Sequence, residues 1–381
     1  MAEAQKELLA ALAAVLFDNS PPNALSEEAR EEAEAQAVYS LVCGDKQTLQ
    51  IVSRNMKIAW EQKKLVNCLS EAGIPNVVLK GLAAAMYYPD PMRRSLGDID
   101  IIVRPEEFPK AFTTMLEHGC TTEDSLEGSK RHAHFQKAGI TIELHRNFAA
   151  LNTRAAEELL DGWIFEAISQ AVTGIVGEWS FPVLPEPLNG LTLLAHISQH
   201  LEGGLGLRQL IDWVLYVSRE LPDEKWPAFQ GMTDLLGLTQ LAKTSARLGQ
   251  IYLGLPEQHH RWCMDADASV CEALLAYAFE CGNFGKKAGM SNTVTMVLSH
   301  SDGLRGAFRN LQDCGERNWK AYQKHRWLKP FCWLYQIIRY ARFGLKRDNA
   351  FSNLKKDYAS SKRRNELMTA LGATRLVERN R

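Results

Sequence analysis

The stretch Gly97-Asp98-Ile99-Asp100-Ile101-Ile102-Val103 decides how the chain is read. Its isoleucines and valine favour a strand. Strand side chains alternate between faces, so Asp98 and Asp100 point one way while Ile99 and Ile101 enter the core. Two adjacent carboxylates repel unless a cation sits between them. Hard oxygen donors of this kind suit Mg²⁺, which takes one or two protein carboxylates together with substrate phosphates. A site for two such ions needs a third acid from another element. Thr141-Ile142-Glu143-Leu144-His145 offers one, because Glu143 lies between apolar Ile142 and Leu144 and faces away from the side they fill. The competing reading is that Asp98 and Asp100 merely line an exposed sheet edge.

Around this strand the pattern alternates between strand and helix. Val77-Val78-Leu79 is a short buried strand that ends at Lys80-Gly81, and Leu82 to Tyr87 starts a helix that Pro89 and Pro91 break. Glycine at such a turn allows close backbone approach, and the N–H groups of a helix start favour phosphate. Pro105-Glu106-Glu107 opens a helix running to about Leu116, and Gly119 ends it. His132 to Lys137 and Thr141 to Arg146 read as two strands joined around Ala138-Gly139. Residues 75–147 are therefore expected to form a β-α-β-α-β-β unit with a mixed sheet.

The flanks are helical. Leu8, Leu9, Leu12, Val15 and Leu16 have helical spacing, Ser26 followed by Glu27 and Glu28 opens a second helix, and a third runs from Lys46 to Ala72 before Gly73. From Ala155 the pattern is again helical, with Leu188–Leu201, Leu205–Ser218, Trp226–Phe229 and Leu235–Leu253 as candidates. Trp319 to Phe343 is an aromatic, amphipathic helix that Pro330 should kink. The expected class is α+β: a small mixed-sheet core at 74–150, an N-terminal helical region at 1–73, a C-terminal helical domain at 151–320, and a basic aromatic helix and tail at 321–381.

Composition supports an ordinary globular chain, at 46% hydrophobic and 23% charged residues over 381 positions. It excludes a disordered, collagen-like or disulfide-miniprotein class. The net charge of -1 conceals a polarity: residues 1–34 carry a net of -6 and residues 324–381 a net of +11. That basic end, with Trp327, Trp333, Tyr335, Arg339, Tyr340, Arg342, Phe343, Lys346 and Arg347, suits an anionic membrane surface or a polyanion. A core-facing amphipathic helix with a solvated basic side is the commoner explanation of such a segment. No apolar run reaches the ~18 residues of a membrane span, and no basic region precedes the N-terminal apolar stretch as in a signal peptide. Eight dispersed cysteines without a C-x-x-C pair fit buried free thiols and a cytoplasmic protein.

Leu79-Lys80-Gly81, Tyr88-Pro89-Asp90-Pro91, Arg93 or Arg94, Gly97-Asp98-Ile99-Asp100 and Glu143-Leu144-His145 together resemble the polymerase-beta-like nucleotidyltransferase superfamily. More narrowly they resemble its uncharacterised nucleotidyltransferase group, often found beside polysaccharide-biosynthesis genes. The segment from Gly203 to Trp213, after Ala195-His196, is similar to that group as well. The resemblance implies an enzyme that moves a nucleoside monophosphate from an NTP, ATP among them, to a hydroxyl acceptor with release of pyrophosphate. It implies that Asp98, Asp100 and Glu143 hold Mg²⁺ or Mn²⁺, with Glu143 also acting as base. Lys80, Gly81, Arg93, Arg94, Gly97 and His145 would then bind nucleotide. The superfamily usually has Gly-Ser where this chain has Gly81-Leu82, so Lys80 would replace the serine contact with a point charge.

Other residues carry two readings each. Arg93 or Arg94 could meet a γ-phosphate or pair with Asp98 or Asp100. His196 and His200, one helical turn apart, suit a structural or substrate-facing role better than zinc, because no H-E-x-x-H pattern is present. Arg208 and Asp212 have the spacing of an ion pair. Two other functional classes compete with the enzyme: a non-catalytic nucleotide- or partner-binding protein on this fold, and a toxin-antitoxin type nucleotidyltransferase acting on protein or RNA.

Overall fold

A computed structural model describes residues 1–18, 24–129, 131–148, 151, 153–283, 308, 311–312, 314–316, 318–319, 321–322, 325–344 and 363–373. It divides into two compact units, one of residues 1–287 with 371–381 and one of residues 288–370.

The first unit opens with helices α1 (Glu3–Phe17), α2 (Glu27–Ala35), α3 (Tyr39–Val42) and α4 (Lys46–Glu71). Ser26 caps α2 by accepting from the Ala29 amide, and Asp45 caps α4 by accepting from the Gln47 and Thr48 amides. The left-handed conformation that ends α4 falls to Gly73, at φ +68°. The sheet then forms from β1 (Asn76–Leu79), β2 (Ile99–Val103), β3 (His132–Lys137) and β4 (Ile140–His145) in the order β1-β2-β4-β3. β2 runs antiparallel to β1 and parallel to β4, and β3 closes antiparallel on β4. This is the expected mixed sheet. The β3–β4 turn places Ala138 and Gly139 at φ +54° and +77°, the two-residue geometry whose twist matches paired strands. Helix α5 (Gly81–Ala85) follows β1, and α6 (Phe108–Glu117) follows β2. α6 starts three residues later than the sequence suggests, with Pro109 rather than Pro105 in its first turn.

Alternation decides which face is buried. Ile99, Ile101, Val103, Ile142, Leu144, Ala133 and Phe135 join one core with Ile58, Leu65 and Leu69 of α4 and Phe108, Phe112 and Met115 of α6. Phe112 meets Phe135 edge to face, with centroids 5.0 Å apart, an arrangement worth about 0.5–1.5 kcal/mol beyond burial. Asp100, Glu143, His132, His134 and His145 occupy the opposite face. Asp100 is only 3% exposed, because β2 is a central strand, and the exposed-edge reading fails on that point.

Beyond α7 (Arg154–Ala167) the helical expectation needs correction. Residues Val172–Val176 and Trp179–Val183 are strands β5 and β6, an antiparallel hairpin. Val176, Trp179, Phe181 and Val183 are buried in the same core as the four-stranded sheet. Helices α8 (Leu188–Gly203), α9 (Leu207–Glu220), α10 (Trp226–Leu236), α11 (Thr239–Tyr252) and α12 (Ala268–Cys281) complete the unit. The expected Leu235–Leu253 helix is split, because Gly237 at φ +68° ends α10.

In the second unit, Arg326–Phe331 forms a 3₁₀ segment containing Pro330, and a helix follows at Cys332–Gly344. Proline interrupts the helical run as expected. Trp319 stacks on Tyr335 at 4.9 Å. Trp327, Phe331, Leu334, Ile337 and Ile338 are exposed, while Cys332 and Gln336 are buried. Lys346 and Arg347, and most of the basic tail, lie outside the described residues. No described helix is long and apolar enough to cross a membrane.

Candidate functional site

β2 and β4 run in parallel, so Asp100 and Glu143 are direct cross-strand neighbours on the polar face. Asp98, just before β2, stands beside them. Lys80 lies at the end of β1, where its backbone takes φ +51°, a strained conformation for a residue with a Cβ, and Gly81 follows at φ +34°. Together these turn the chain back over the acidic strand. A Cβ on Gly81 would meet the Asp98 carbonyl at 3.8 Å.

A cavity of about 220 Å³ opens there. The sheet side supplies Lys80, Gly81, Gly97, Asp98, Asp100 and Glu143, and the other side supplies Arg94, His196, Gln199, His200 and Arg208. A Cβ at Gly97 would meet nothing within 4 Å, so packing does not explain this glycine. Arg93 is not part of the wall and pairs with Asp90 at 3.3 Å.

The sheet side is a network of opposed charges. Lys80 Nζ donates to Asp100 Oδ1 at 2.9 Å. His145 Nε2 lies 2.9 Å from the same oxygen and 3.3 Å from Glu143 Oε2. Burial works to raise the Asp100 carboxyl, yet the Lys80 charge and the His145 hydrogen bond override it and hold it well below the usual range. Burial opposes charge on Lys80 and His145 too. The carboxylates outweigh it, and both groups hold their protons more tightly than usual. Glu143 is shifted down, with the His145 hydrogen bond overcoming burial. Asp98 goes the other way: burial and then the negative charge of Asp100 push its carboxyl up. Asp98 forms no ion pair among the described residues.

That imbalance bears on metal binding. Donor atoms of Asp100, Glu143 and His145 lie within 4.8 Å of one another, and Asp98 adds a further carboxylate that feels the Lys80 charge but makes no ion pair among the described residues. The donors are mostly hard oxygens, the set that Mg²⁺ or Mn²⁺ takes. The residues therefore fit a divalent cation, which would compete with Lys80 and His145 for carboxylate.

The pairings weighed for the arginines form differently. Neither Arg93 nor Arg94 pairs with Asp98 or Asp100. Arg94 is buried and makes a two-point contact with Asp212, Nε to Oδ1 at 2.7 Å and Nη2 to Oδ2 at 2.6 Å. Tyr88 donates to Asp212 Oδ1 at 2.7 Å. Asp212 thus takes Arg94 in place of the expected Arg208. The Arg208 guanidinium donates instead to the Ser95 carbonyl at 2.8 Å. His196 and His200 contact each other through their Nε2 atoms at 2.8 Å. Burial, then the neighbouring His200 and Lys80, push His196 well down. Burial and Lys80 lower His200 to about 4. Both rings are neutral at pH 7.

Gln199 is a wall residue that the sequence reading missed. The available signal was spacing, since 196, 199 and 200 share one helical face.

The sequence profile described as "Uncharacterised nucleotidyltransferase" matches residues 22–254, more than half of the chain. Comparisons with curated proteins and with solved structures gave no match.

Proposed function

This chain belongs to the uncharacterised nucleotidyltransferase family, and from that premise we propose a divalent-metal-dependent transfer of a nucleoside monophosphate from an NTP to a hydroxyl acceptor. The observation that carries this reading is the two-sided cavity, with carboxylates on the sheet side and buried arginines opposite. A metal-bound triphosphate has that same pair of needs.

In this reading Asp98, Asp100 and Glu143 hold Mg²⁺ or Mn²⁺, which would supply charge stabilisation of the attacking and leaving oxygens. Lys80, held on Asp100 here, becomes available to phosphate once the carboxylates are satisfied by the metal. Gly81 and Gly97 leave room for phosphate against backbone, and Arg94 and Arg208 set positive charge on the far side. Glu143 accepts the proton of the acceptor hydroxyl. The new bond joins that oxygen to the α-phosphorus, and the bond to pyrophosphate breaks. His145 keeps Asp100 and Glu143 apart as oriented anions. The acceptor class is a hydroxyl of a sugar, a small metabolite or a protein side chain, with polysaccharide-linked sugars the first to assay.

The test incubates the full chain with each labelled NTP, Mg²⁺ or Mn²⁺ and candidate acceptors, itself included. Metal-dependent label transfer with pyrophosphate release is expected. Absence of both transfer and nucleotide binding, with no change in Asp98→Asn, would return the chain to a non-catalytic role. The exposed Trp327, Leu334, Ile337 and Ile338 beside Arg339 support a second, separate role for the C-terminal segment on an anionic lipid surface. Vesicle sedimentation of the full chain at two salt concentrations tests it, and salt-insensitive binding counts against it.

A further inference from the structure

Glu143 has a second set of neighbours, on the side away from Asp100. The register sets His134 opposite Glu143 and His132 opposite His145, so both imidazoles share the polar face of the sheet. The donor atoms of His132, His134 and Glu143 all lie within 4.8 Å of one another. His134 Nε2 is 3.7 Å from Glu143 Oε1, and the rings of His132 and His134 meet edge to face at 4.7 Å. We propose that His132, His134 and Glu143 bind a borderline transition-metal ion, Zn²⁺ or a divalent ion of similar chemistry, at the outer rim of the cavity.

Three arguments support this site. The first is donor chemistry. Two imidazoles and one carboxylate suit zinc, nickel, copper or iron and not Mg²⁺, whereas Asp98 and Asp100 offer only hard oxygens. Three protein ligands also leave a fourth position for water or a substrate oxygen.

The second is preorganisation. Asp124 accepts the His134 backbone amide at 2.8 Å and lies 3.0 Å from its Nδ1. A carboxylate on one ring nitrogen fixes the imidazole and leaves the other as ligand, and here the other nitrogen is the one near Glu143. The Thr122 hydroxyl in turn accepts the Asp124 amide at 2.9 Å and donates to the His134 carbonyl at 2.5 Å. The loop before β3 is thus built around the orientation of this ring.

The third is room to close. Ligand atoms about 2.0 Å from a tetrahedral zinc lie a little over ~3 Å apart, so these donors must draw together by about 1 Å. The His134 side chain is 53% exposed on edge strand β3, and a rotamer adjustment there displaces no core packing.

The site stands on β3, β4 and the loop before β3, and needs neither Asp98 nor a nucleotide. Glu143 belongs to both sets, so an ion in the outer one competes with the inner one for it. That consequence alone rests on the nucleotidyl-transfer reading.

The experiment titrates the metal-stripped full chain with Co²⁺, whose visible d–d bands report imidazole coordination, and then displaces it with Zn²⁺. A single equivalent with bands of low-coordinate cobalt is expected, lost on adding Zn²⁺ and only weakened by excess Mg²⁺, which draws on the shared Glu143. His134→Ala should weaken binding at least about tenfold, and Asp124→Ala roughly 10–100-fold. Asp98→Asn should leave the bands unchanged. Thermal melts check that each variant folds, and His134→Gln repeats the test with less loss of volume. No bands at saturating Co²⁺, the same affinity in His134→Ala, or bands that vanish in Asp98→Asn would each overturn the proposal. Cobalt binding without nucleotidyl transfer would sink only the preceding reading, and transfer without cobalt binding only this one.

Discussion

The two walls of the cavity solve the problem of buried charge in opposite ways. On the sheet side the charges compensate one another locally, Lys80 and His145 against Asp100 and Glu143, with Asp98 left over. On the far side the charged groups are anchored away from the cavity. Arg94 is held from behind by Asp212, Arg208 by the Ser95 carbonyl, and the two histidines are neutral. An ion pair inside a site must be exchanged when a ligand arrives, whereas a cation anchored from outside can meet an anion without losing its partner. The sheet wall is therefore the one that should respond to metal, and the far wall the one that should set position.

The largest expected effect breaks the sheet wall. Asp98→Asn or Asp100→Asn should lower nucleotidyl transfer by roughly 10³-fold or more, the scale of losing several kcal/mol of charge stabilisation. Asp98→Asn should leave the fold intact, because the carboxylate has no ion pair among the described residues to lose. Measured kcat in Mg²⁺ and Mn²⁺ checks this, and a variant within tenfold of the parent would remove Asp98 from the reaction. Asp100→Asn should also release Lys80, which an altered thermal midpoint would report.

Next comes the anchor of the far wall. Asp212→Ala strands the buried Arg94, and loss of one partner of such a pair costs about 3–5 kcal/mol. Urea unfolding measures it. A cost below about 1 kcal/mol would mean that Arg94 finds another partner or reaches solvent. Arg94→Met with Asp212→Leu should recover much of the stability, since removing both charges leaves neither uncompensated. A smaller effect is expected from Arg208→Lys, which keeps charge but loses the planar fork. If Arg208 meets phosphate, KM for NTP should rise about 10–100-fold, the worth of one charged hydrogen bond, with kcat less affected. An unchanged KM would exclude Arg208 from phosphate binding.

The same contrast explains what the sequence makes legible. The sheet wall is local: Asp98, Asp100 and Glu143 reveal themselves by alternation against isoleucines and leucine, within strands whose composition already marks them. The β5–β6 hairpin is hidden within a stretch that reads as helical, and Pro182 inside β6 argues against a strand there. The far wall depends on long-range contacts. Arg94 and Asp212 are 118 residues apart, and helical periodicity pairs Asp212 with Arg208 instead. The His196–His200 spacing is visible, yet nothing in it says that this face of α8 looks onto Asp98, Asp100 and Glu143, all far upstream in the chain.

The smallest predicted effect uses that histidine pair to separate the walls by pH. His196 and His200 touch through Nε2 atoms, so one donates and the other, unprotonated at that nitrogen, accepts. Burial together with Lys80 and Arg208 depresses both, His200 to about 4 and His196, which also feels His200 and Arg94, well below its ordinary value. The unfolded chain binds these protons near the ordinary histidine pKa of about 6.5, before the folded chain does. Stability from this pair is therefore complete above about pH 6.5 and is lost as pH falls toward 4. His145 has the opposite sign. Its folded proton is held more tightly than in the unfolded chain, so its contribution is present below about pH 6.5 and fades as pH rises through its elevated folded value. Metal-free protein should then show a thermal midpoint that declines between pH 6.5 and 4, and His196→Gln should flatten that decline because one of the two depressed groups is gone. An unchanged slope in His196→Gln would mean that the pair admits water, and that the far wall is wetter than its burial implies.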